Sequence, residues 1–503
     1  MNDTSLNNTG TELLDNGERM FGVSKLIGFM SIQGICFLFM AGCMVGPDFH
    51  KPETTLPQSW YGIDSPAAPA ISVAVAHESA AGQWWNNFDD PVLSSLVDRT
   101  VKANLDVRIA QSRIRQARAA RGVAAAGLWP EIDASADYSY NRGTLTGNNT
   151  SVGWVPGYKS SYFQAGLDAS WELDFFGGVR RNVEASQADL QAAVEDRRDV
   201  LVTLLGDVGT NYLNLRCFQQ QIDIARSNLK SQRRTVEIVR RKHQAGLVSA
   251  LDLANASAQV AQTESQIPIL ESSAQGAIYA LSLLMAREPA ALVQELITGK
   301  PIPMVPPEIP VGLPSELLRR RPDIRRAEAA IHAATARVGV ATADLFPKFS
   351  LTGSYGFSGL SIGTLANWQS AAWSVGPSVR WPIFDAGRIR WNIEGRNAEE
   401  EQALLAYNKT VLAALKDVET SMFAYAREQE RRKTLIEEMA QNQKAFDLSM
   451  KLYVVGKGDF LNVLIAERAL YTSQDALAQS ARTLSVDLVS LYKALGGGWE
   501  NLP

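Results

Sequence analysis

The sequence predicts an α+β membrane protein that combines long coiled-coil helices with a transmembrane β-barrel shared between chains. Three features predict this class: an internal duplication, two very long helical segments with a 3.5-residue apolar period, and four short segments in which apolar and polar residues alternate. The 503 residues are 46% hydrophobic and 20% charged, with a net charge of −4 and no basic run. This charge distribution argues against a nucleic acid partner.

The N-terminal segment has the composition of a secretory signal. Lys25 precedes an apolar stretch of about 15 residues, which is too short and too interrupted for a membrane-spanning helix. The stretch ends in small residues, as signal peptides do. Residues 1–42 are therefore predicted to be a signal peptide. Met20 is an alternative start for it, because residues 1–19 are polar.

The end of this signal resembles a bacterial lipoprotein box. Met40-Ala41-Gly42-Cys43 stands at the end of the apolar run, so Cys43 is predicted to become the first residue and to carry acyl chains. Residues 43–91 would then form a lipidated, extended N-terminal segment. By the same resemblance, Met44 in place of aspartate favours sorting to the outer membrane. The alternative is an ordinary signal that happens to end near a cysteine.

The remaining chain repeats itself. Residues 104–130 match 321–347 at an offset of 217, which places Pro130 on Pro347. Further along, residues 171–184 match 381–394 at an offset of 210. The match indicates a duplicated unit of about 200 residues rather than a solenoid, whose repeats are about 20–50 residues long.

Each copy is predicted to contain a helix, two strands, a long helix and a further helix. The predicted bounds are 92–300 for the first copy and 301–498 for the second. In the first copy, alternating steps of four and three from Leu190 to Val239 meet an apolar residue at 12 of 15 positions. Such a seam is typical of a coiled coil.

The predicted long helices extend over about 178–245 and 388–455, with a weaker seam in the second. At 1.5 Å per residue, each would be about 100 Å long. The alternative is a pair of ordinary helices broken near Gly206–Gly209.

Four segments of about 10–12 residues have one apolar and one polar face, with aromatic residues near their ends: 131–140, 161–174, 348–357 and 373–384. This pattern is typical of a transmembrane β-barrel. The alternative is an amphipathic sheet packed on helices in a soluble domain. Charged residues of the polar faces are predicted to line the lumen: Asp133, Asp137, Asp168, Glu172 and Arg380. Apolar residues of the second strand are predicted to meet lipid: Phe163, Leu167, Trp171 and Leu173.

Four strands cannot close a barrel, because the smallest barrels need about eight. Open sheet edges are not tolerated in lipid. Several chains must therefore share one barrel. Two chains would give eight strands and a filled interior, whereas three would give twelve and leave a lumen. The charged inner faces favour the twelve-stranded barrel.

Nothing in the sequence points to catalysis or to a bound cofactor. The three cysteines do not suggest a disulfide framework, and the four histidines show no metal-ligand spacing. Nucleophile-elbow, zinc-protease and phosphate-binding motifs do not occur. We therefore expect neither an enzyme nor a metal site.

Four features together resemble the outer membrane factor family, which is TolC-like, and within it the NodT-like lipoprotein branch. They are the segment GCMVGPDFHKPETTLPQSW (42–60), the duplicated unit, the strand entries LWP and LFP, and the paired turns at Gly246 and Gly456. The resemblance implies a homotrimer in which twelve strands form an outer membrane barrel and twelve helices continue it as a periplasmic tunnel.

Such proteins are passive exit ducts of tripartite efflux systems. The implied partners are outer membrane lipid, a periplasmic membrane-fusion adaptor and an inner-membrane pump, of the resistance-nodulation-division type. Two alternatives are kept: a non-transporting, structural periplasmic coiled-coil lipoprotein, and an exit channel for type I protein secretion. The sequence does not determine the cargo.

The two turns between the long helices and their successors are the expected functional sites. Ser249 and Asp459 are predicted to cap the following helices, after glycine C-caps. The resemblance places the periplasmic tip, the gate and the adaptor-docking surface at these turns: Gly246, Val248, Ser249, Asp252, Tyr453, Gly456, Asp459 and Asn462.

By the same resemblance, Asp252 and Tyr453 would form polar links that hold the tip closed. Asn462 and Ile465 stand where the TolC branch has constricting aspartates. An acidic ring built from those two positions is therefore in doubt, and Asp459 is a possible substitute.

Overall fold

A computed structural model describes residues 44–61, 82–142, 159–303, 314–365 and 367–500. The predicted signal peptide and Cys43 lie outside these ranges. The chain divides into two compact units. The first unit consists of residues 1–50, 117–189 and 331–403, and the second of residues 51–116, 190–330 and 404–503.

The first unit contains one antiparallel sheet with the strand order β1-β2-β3-β4. The strands are β1 (Glu131–Arg142), β2 (Lys159–Leu173), β3 (Lys348–Gly359) and β4 (Ala371–Arg380). The four predicted strands are confirmed. Within the described residues, β1 and β4 each pair on one side only, so they form the two edges of the sheet.

The fourth strand is shorter than the alternation of residues predicts. It ends at Arg380, so Trp381 and Ile383 lie beyond it. Pro382 explains this end, because proline has no N–H to donate to a ladder and restricts the residue before it. The Trp381 indole N–H instead donates to the carbonyl oxygen of Leu345, at 3.0 Å.

The helices follow in chain order: α1 (Pro91–Ala103), α2 (Leu105–Ala126), α3 (Gly178–Gln244), α4 (Ala250–Leu284), α5 (Val293–Leu296), α6 (Leu317–Arg320), α7 (Pro322–Ala343), α8 (Ile362–Leu365), α9 (Arg388–Val454) and α10 (Phe460–Ala494). Short 3₁₀ turns lie at Trp84–Phe88, Pro289–Leu292, Pro314–Glu316 and Trp368–Ser370. Both predicted long helices are confirmed: α3 and α9 each have 67 residues.

Helix α3 runs without a break through Gly206–Gly209, so the alternative of two broken helices is wrong. Close packing explains Gly209, because a Cβ added there would lie 2.9 Å from Cη2 of Trp84. Trp84 is 1% exposed and stacks on Tyr492 with ring centroids 5.7 Å apart. The small residue lets the indole reach the helix backbone, in the core of the second unit.

Among the described residues, no single helix is both long enough and apolar enough to span a membrane. Helix α4 together with residues Pro289–Leu296 meets the length and composition criteria, with a bend of 107° between the two parts.

Candidate functional site

The turns after α3 and α9 have the same backbone geometry. Gly246 and Gly456 are left-handed, with φ of 72° and 75°. The N–H of Leu247 donates to the carbonyl oxygen of Lys242 at 2.9 Å. At the second turn, the N–H of Lys457 donates to the carbonyl oxygen of Leu452, also at 2.9 Å. Together with the N–H bonds of the two glycines, this is the Schellman motif, which favours glycine at the left-handed position. The predicted glycine C-caps are therefore confirmed.

The helices after these turns begin at the predicted caps. Ser249 and Asp252 form a capping box: the Asp252 N–H donates to Ser249 Oγ at 3.2 Å, and the Ser249 N–H donates to Asp252 Oδ2 at 3.1 Å. The Ser249 hydroxyl also donates to Asp252 Oδ2 at 2.9 Å. Asp459 accepts from the N–H of Leu461 at 3.2 Å. Both predicted N-caps are confirmed, and each satisfies backbone donors that the first turn leaves unpaired.

A buried apolar cluster lies beside the two turns and takes residues from all four adjoining helices. We call it the tip cluster; its buried members are Val236, Val239, Ala256, Tyr453, Phe460, Val463 and Leu464. The Tyr453 and Phe460 rings lie 5.5 Å apart. Because α3, α4, α9 and α10 share this core, the two helical hairpins are held together by burial of apolar surface.

Asp252 and Tyr453 do not bond each other within one chain, and polar links at these two residues stay a prediction. The Asp252 carboxylate is bonded within its own turn to Ser249, and the Tyr453 hydroxyl has no hydrogen-bond partner among the described residues. Tyr453 is 2% exposed. Burial, together with the carboxylates of Asp252 and Asp459, raises the pKa of Tyr453. Its hydroxyl therefore stays neutral at physiological pH.

Lys242 makes a polar contact that joins the two hairpins at the turns. Its ammonium lies 4.3 Å from the centroid of the Tyr453 ring and donates to the main-chain carbonyl oxygen of Tyr453. That carbonyl belongs to the last turn of α9, where the helix dipole favours a cation. No local pattern in the sequence marks Lys242, because its partner is a carbonyl oxygen 211 positions away.

The other predicted tip residues are placed as follows. The Val248 carbonyl oxygen accepts a hydrogen bond from His243 Nδ1 at 3.1 Å. The Val248 side chain packs against the tip cluster. Asn462 is exposed, and Ile465 is 57% exposed. Both lie on the side of α10 away from the buried Val463.

A second buried feature of these helices is polar. Glu467 is 5% exposed and occupies a core position of α10, one turn beyond Val463. Within the described part of the chain, its Oε1 has no hydrogen-bond partner, and neither do the side-chain amide of Gln232 and the hydroxyl of Thr263. Burial raises the pKa of Glu467 to about 7. No motif or spacing in the sequence marks these residues.

The five charged residues predicted for the lumen lie on one face of the sheet. Asp133 stands directly opposite Asp168, which faces Ser354, which in turn faces Ser374. Neighbours in register share a face, because side chains alternate along each strand. The same parity places the other three residues on this face: Asp137, Glu172 and Arg380.

The opposite face of the sheet is apolar and carries the residues predicted to meet lipid. Leu167 stands opposite Ala134 on one side and Tyr355 on the other. Tyr355 is in turn opposite Trp373, which is 74% exposed. In a single chain, this row of large apolar side chains faces outward without a covering layer among the described residues.

Residues 44–50, which we call the N-terminal strap, bind along the first unit. The Val45 N–H donates to the carbonyl oxygen of Phe176 at 3.1 Å. Phe49 stacks on His332 with ring centroids 4.5 Å apart and planes inclined by 13°. The strap thus connects to the entry of α3 and to α7.

Arg181 binds this strap through hydrogen bonds. It is 2% exposed and donates to the carbonyl oxygens of Val45 and Gly46 at 3.2 and 3.4 Å. It also donates to Asp48 Oδ1 at 2.6 Å. The strap passes close to α7, since a Cβ added at Gly46 would lie 2.5 Å from Gly339 Cα. The motif GPDF is visible in the sequence, but nothing in it identifies Arg181 as the partner.

The chain matches the family model of outer membrane efflux proteins over residues 96–287 and 313–497. It belongs to this family and is an outer membrane efflux channel. The resemblance stated from the sequence is thereby confirmed.

Two curated relatives illustrate the match. The pyoverdine export outer membrane protein OpmQ of Pseudomonas aeruginosa is 36% identical over 432 residues, which cover 83% of this chain and 88% of that protein. Nodulation protein T of Rhizobium leguminosarum bv. trifolii is 30% identical over 468 residues, which cover 92% and 96%.

Among solved structures, the outer-membrane channel OprN superposes with a TM-score of 0.84 at 35% sequence identity. The superposition covers 91% of this chain and 100% of that one.

Proposed function

We propose that three copies of the chain share one twelve-stranded barrel and form the passive exit duct of a tripartite efflux system. The observation that carries this proposal is the single sheet with two unpaired edges and two chemically different faces. Open edges are excluded from lipid, and four strands cannot close. Three sheets joined edge to edge give a barrel wide enough for a lumen.

In this barrel the acidic, polar face lines the lumen and the apolar face meets lipid. The row Asp133, Asp168, Ser354 and Ser374 supplies hydrogen-bonding groups that stay wet. Exposed Trp373 and Leu167 suit a lipid surface. The reverse assignment would place carboxylates in hydrocarbon, which costs several kcal/mol at the midplane.

The paired turns form the periplasmic tip, which gates the duct and docks the membrane-fusion adaptor. Each turn presents exposed apolar side chains: Leu247 and Leu251 at the first, Val455 and Leu461 at the second. Such a patch is typical of a protein-binding surface. An inner-membrane pump of the resistance-nodulation-division type supplies the energy and selects the cargo.

Cys43 carries the lipid anchor. The strap that follows it directly is held by Arg181 and Phe176, so the anchor is tied to the unit that contains the sheet. We expect metabolic labelling with palmitate to mark the wild type and not Cys43→Ala. We expect Cys43→Ala to localise less efficiently and still to assemble, because the barrel itself binds lipid.

The cargo is a small molecule. The two curated relatives are named for different roles, pyoverdine export and nodulation, which supports selection by the pump rather than by the duct. A duct for type I protein secretion is the alternative. Deletion of the gene should raise cellular accumulation of small toxic compounds without changing the secreted proteins, and the reverse pattern would favour protein secretion.

The assembly and the open duct can be tested on the purified full-length protein. Light scattering in detergent should give the mass of three copies, and insertion into a planar bilayer should give uniform conductance steps. A monomeric mass would contradict the shared barrel, and a dimeric mass would contradict the twelve-stranded one. A trimer that gives no conductance steps would contradict the open duct and would favour a structural lipoprotein.

A further inference from the structure

Two helices flank the outer edges of the sheet. Helix α2 leads into the edge strand β1, and the edge strand β4 leads into α9. The inner strands have the same connections, because α7 leads into β3 and β2 leads into α3. In sequence, α2 is the repeat of α7, and α9 is the repeat of α3. The outer edges therefore repeat the arrangement at the centre of the sheet.

Two equivalent hydrogen bonds support this correspondence residue by residue. The indole N–H of Trp171 donates to the Leu128 carbonyl oxygen at 3.0 Å. Trp381 donates to the Leu345 carbonyl oxygen, also at 3.0 Å. The two tryptophans are related by the offset of 210, and the two leucines by the offset of 217. Both offsets hold in the fold as well as in the sequence.

At the centre, α3 and α7 are in close contact. A Cβ added at Gly339 would lie 2.9 Å from Cδ and 3.0 Å from Cγ of Arg181. The N-terminal strap fills the rest of this slot, with Gly46 against Gly339 and Asp48 bonded to Arg181. Ala336 and Val338 on the same helix are 1% and 4% exposed.

At the outer edges the equivalent positions are open. Gly122, the counterpart of Gly339, has no atom within 4 Å of an added Cβ. Ala119 and Arg121, the counterparts of Ala336 and Val338, are exposed. Trp391 stands in the place of Arg181 and is 74% exposed.

The exchange of arginine for tryptophan has a physical reason. The strap of residues 44–50 is used at the central slot, and no described segment of the chain takes its place at the outer slot. An arginine there would have no strap carbonyl oxygens to bind, whereas an indole fills the space with its own bulk. Trp391 is therefore suited to a slot that lacks a strap.

We propose that α9 of one copy packs against α2 of a second copy, with Trp391 seated over Gly122 of the partner subunit. This rests on the proposed shared barrel, in which β4 of one copy pairs with β1 of the next. The contact is head-to-tail, so it closes into a ring when the last copy meets the first. At this slot between two copies, Trp391 then fills the space equivalent to the one that Arg181 and the strap fill at the central slot of each chain.

Disulfide trapping tests the contact in the full-length protein in membranes. The Cβ of residue 339 would lie 3.0 Å from Arg181 Cγ, so the two Cβ positions are close enough for a disulfide, which needs about 3.5–4.5 Å. The pair Gly122→Cys with Trp391→Cys should therefore give covalent dimers and trimers on oxidation. As a matched control, Gly122→Cys with Ile393→Cys should give none, because residue 393 points about 200° away around the helix.

The outcomes separate this contact from assembly itself. A trimeric mass without the disulfide, or a disulfide within one chain, would overturn the Trp391 contact and leave the shared barrel standing. A monomeric mass of the wild type would overturn both. If the cysteine pair does not reach the membrane, Trp391→Ala decides: it should lower the temperature at which trimers dissociate in SDS, whereas Trp368→Ala, equally exposed at 79%, should not. Equal temperatures for the two variants would overturn the contact.

Discussion

The ammonium of Lys242 lies 4.3 Å from the centroid of the Tyr453 ring and also donates to the Tyr453 carbonyl oxygen. This contact joins the last turn of α3 to the last turn of α9. It uses the ring and the backbone of Tyr453 but not its hydroxyl, which has no partner within the described residues. In the proposed gate, Lys242 is therefore a polar link between the two hairpins of one chain.

Lys242→Met should weaken the closed tip. The substitution keeps an apolar stem and removes the cation, so it removes both the ring contact and the hydrogen bond. These are together worth about 1–3 kcal/mol. We expect a higher mean single-channel conductance in planar bilayers. Tyr453→Phe is the control, and it should conduct like the wild type. An increase for Tyr453→Phe alone would show that the Tyr453 hydroxyl, and not Lys242, holds the tip closed.

Ser249→Ala should loosen the start of α4. The substitution removes the hydroxyl of the capping box and leaves the first-turn N–H groups to water, at a cost of about 1 kcal/mol. Hydrogen exchange of the peptide that covers 246–252 should become faster. Ser257→Ala serves as the control, because the Ser257 hydroxyl donates to the carbonyl oxygen of Leu253 in the same helix and caps no helix end. Equal exchange in the two variants would show that the cap contributes no stability.

Features that repeat with a fixed period could be predicted from the sequence. Alternation of apolar and polar residues placed Asp133 and Asp168 on one face, and the structure puts them directly opposite each other. The 3.5-residue seam predicted α3, and the absence of proline predicted its length. Glycine followed by serine or aspartate predicted both caps at the turns. Each of these rests on neighbours within a few residues along the chain.

Contacts between distant segments could not be predicted in the same way. Asp252 bonds within its own turn, whereas the contact between distant segments is made by Lys242 and Tyr453, which are 211 positions apart. Arg181 and Asp48 are separated by 133 positions. Their pairing depends on packing of the strap, for which a single sequence holds no periodic signal.

Replacing the central carboxylates of the sheet should change ion selectivity. With Asp133 opposite Asp168, the proposed lumen carries closely spaced negative charges that favour cations. The double variant Asp133→Asn and Asp168→Asn should shift the reversal potential toward that of a non-selective pore in a salt gradient. Asp106→Asn, in the first turn of α2 and outside the sheet, should not shift it. Equal reversal potentials would mean that this face does not line the conducting path.

Glu467 should make the stability of the α10 hairpin depend on pH. Burial raises its pKa to about 7 from the ordinary 4.5. Below about pH 4.5, both the folded and the unfolded chain hold the proton, so there is no penalty. As the pH rises from there to about 7, the unfolded chain releases the proton while the folded chain retains it, and the free energy of unfolding falls, by on the order of 3 kcal/mol. Above about pH 7, the penalty is constant.

Glu467→Gln removes this titration and keeps the size of the side chain. We therefore expect that hydrogen-exchange protection of residues 463–471, corrected for the intrinsic rate, falls between pH 5.5 and 8 in the wild type and stays nearly constant in the variant. Arg468, the next residue, is bonded elsewhere, because its Nε donates to Gln259 Oε1 at 2.6 Å. The same loss of protection in both proteins would assign the pH dependence to another group and leave Glu467 ionised in the fold.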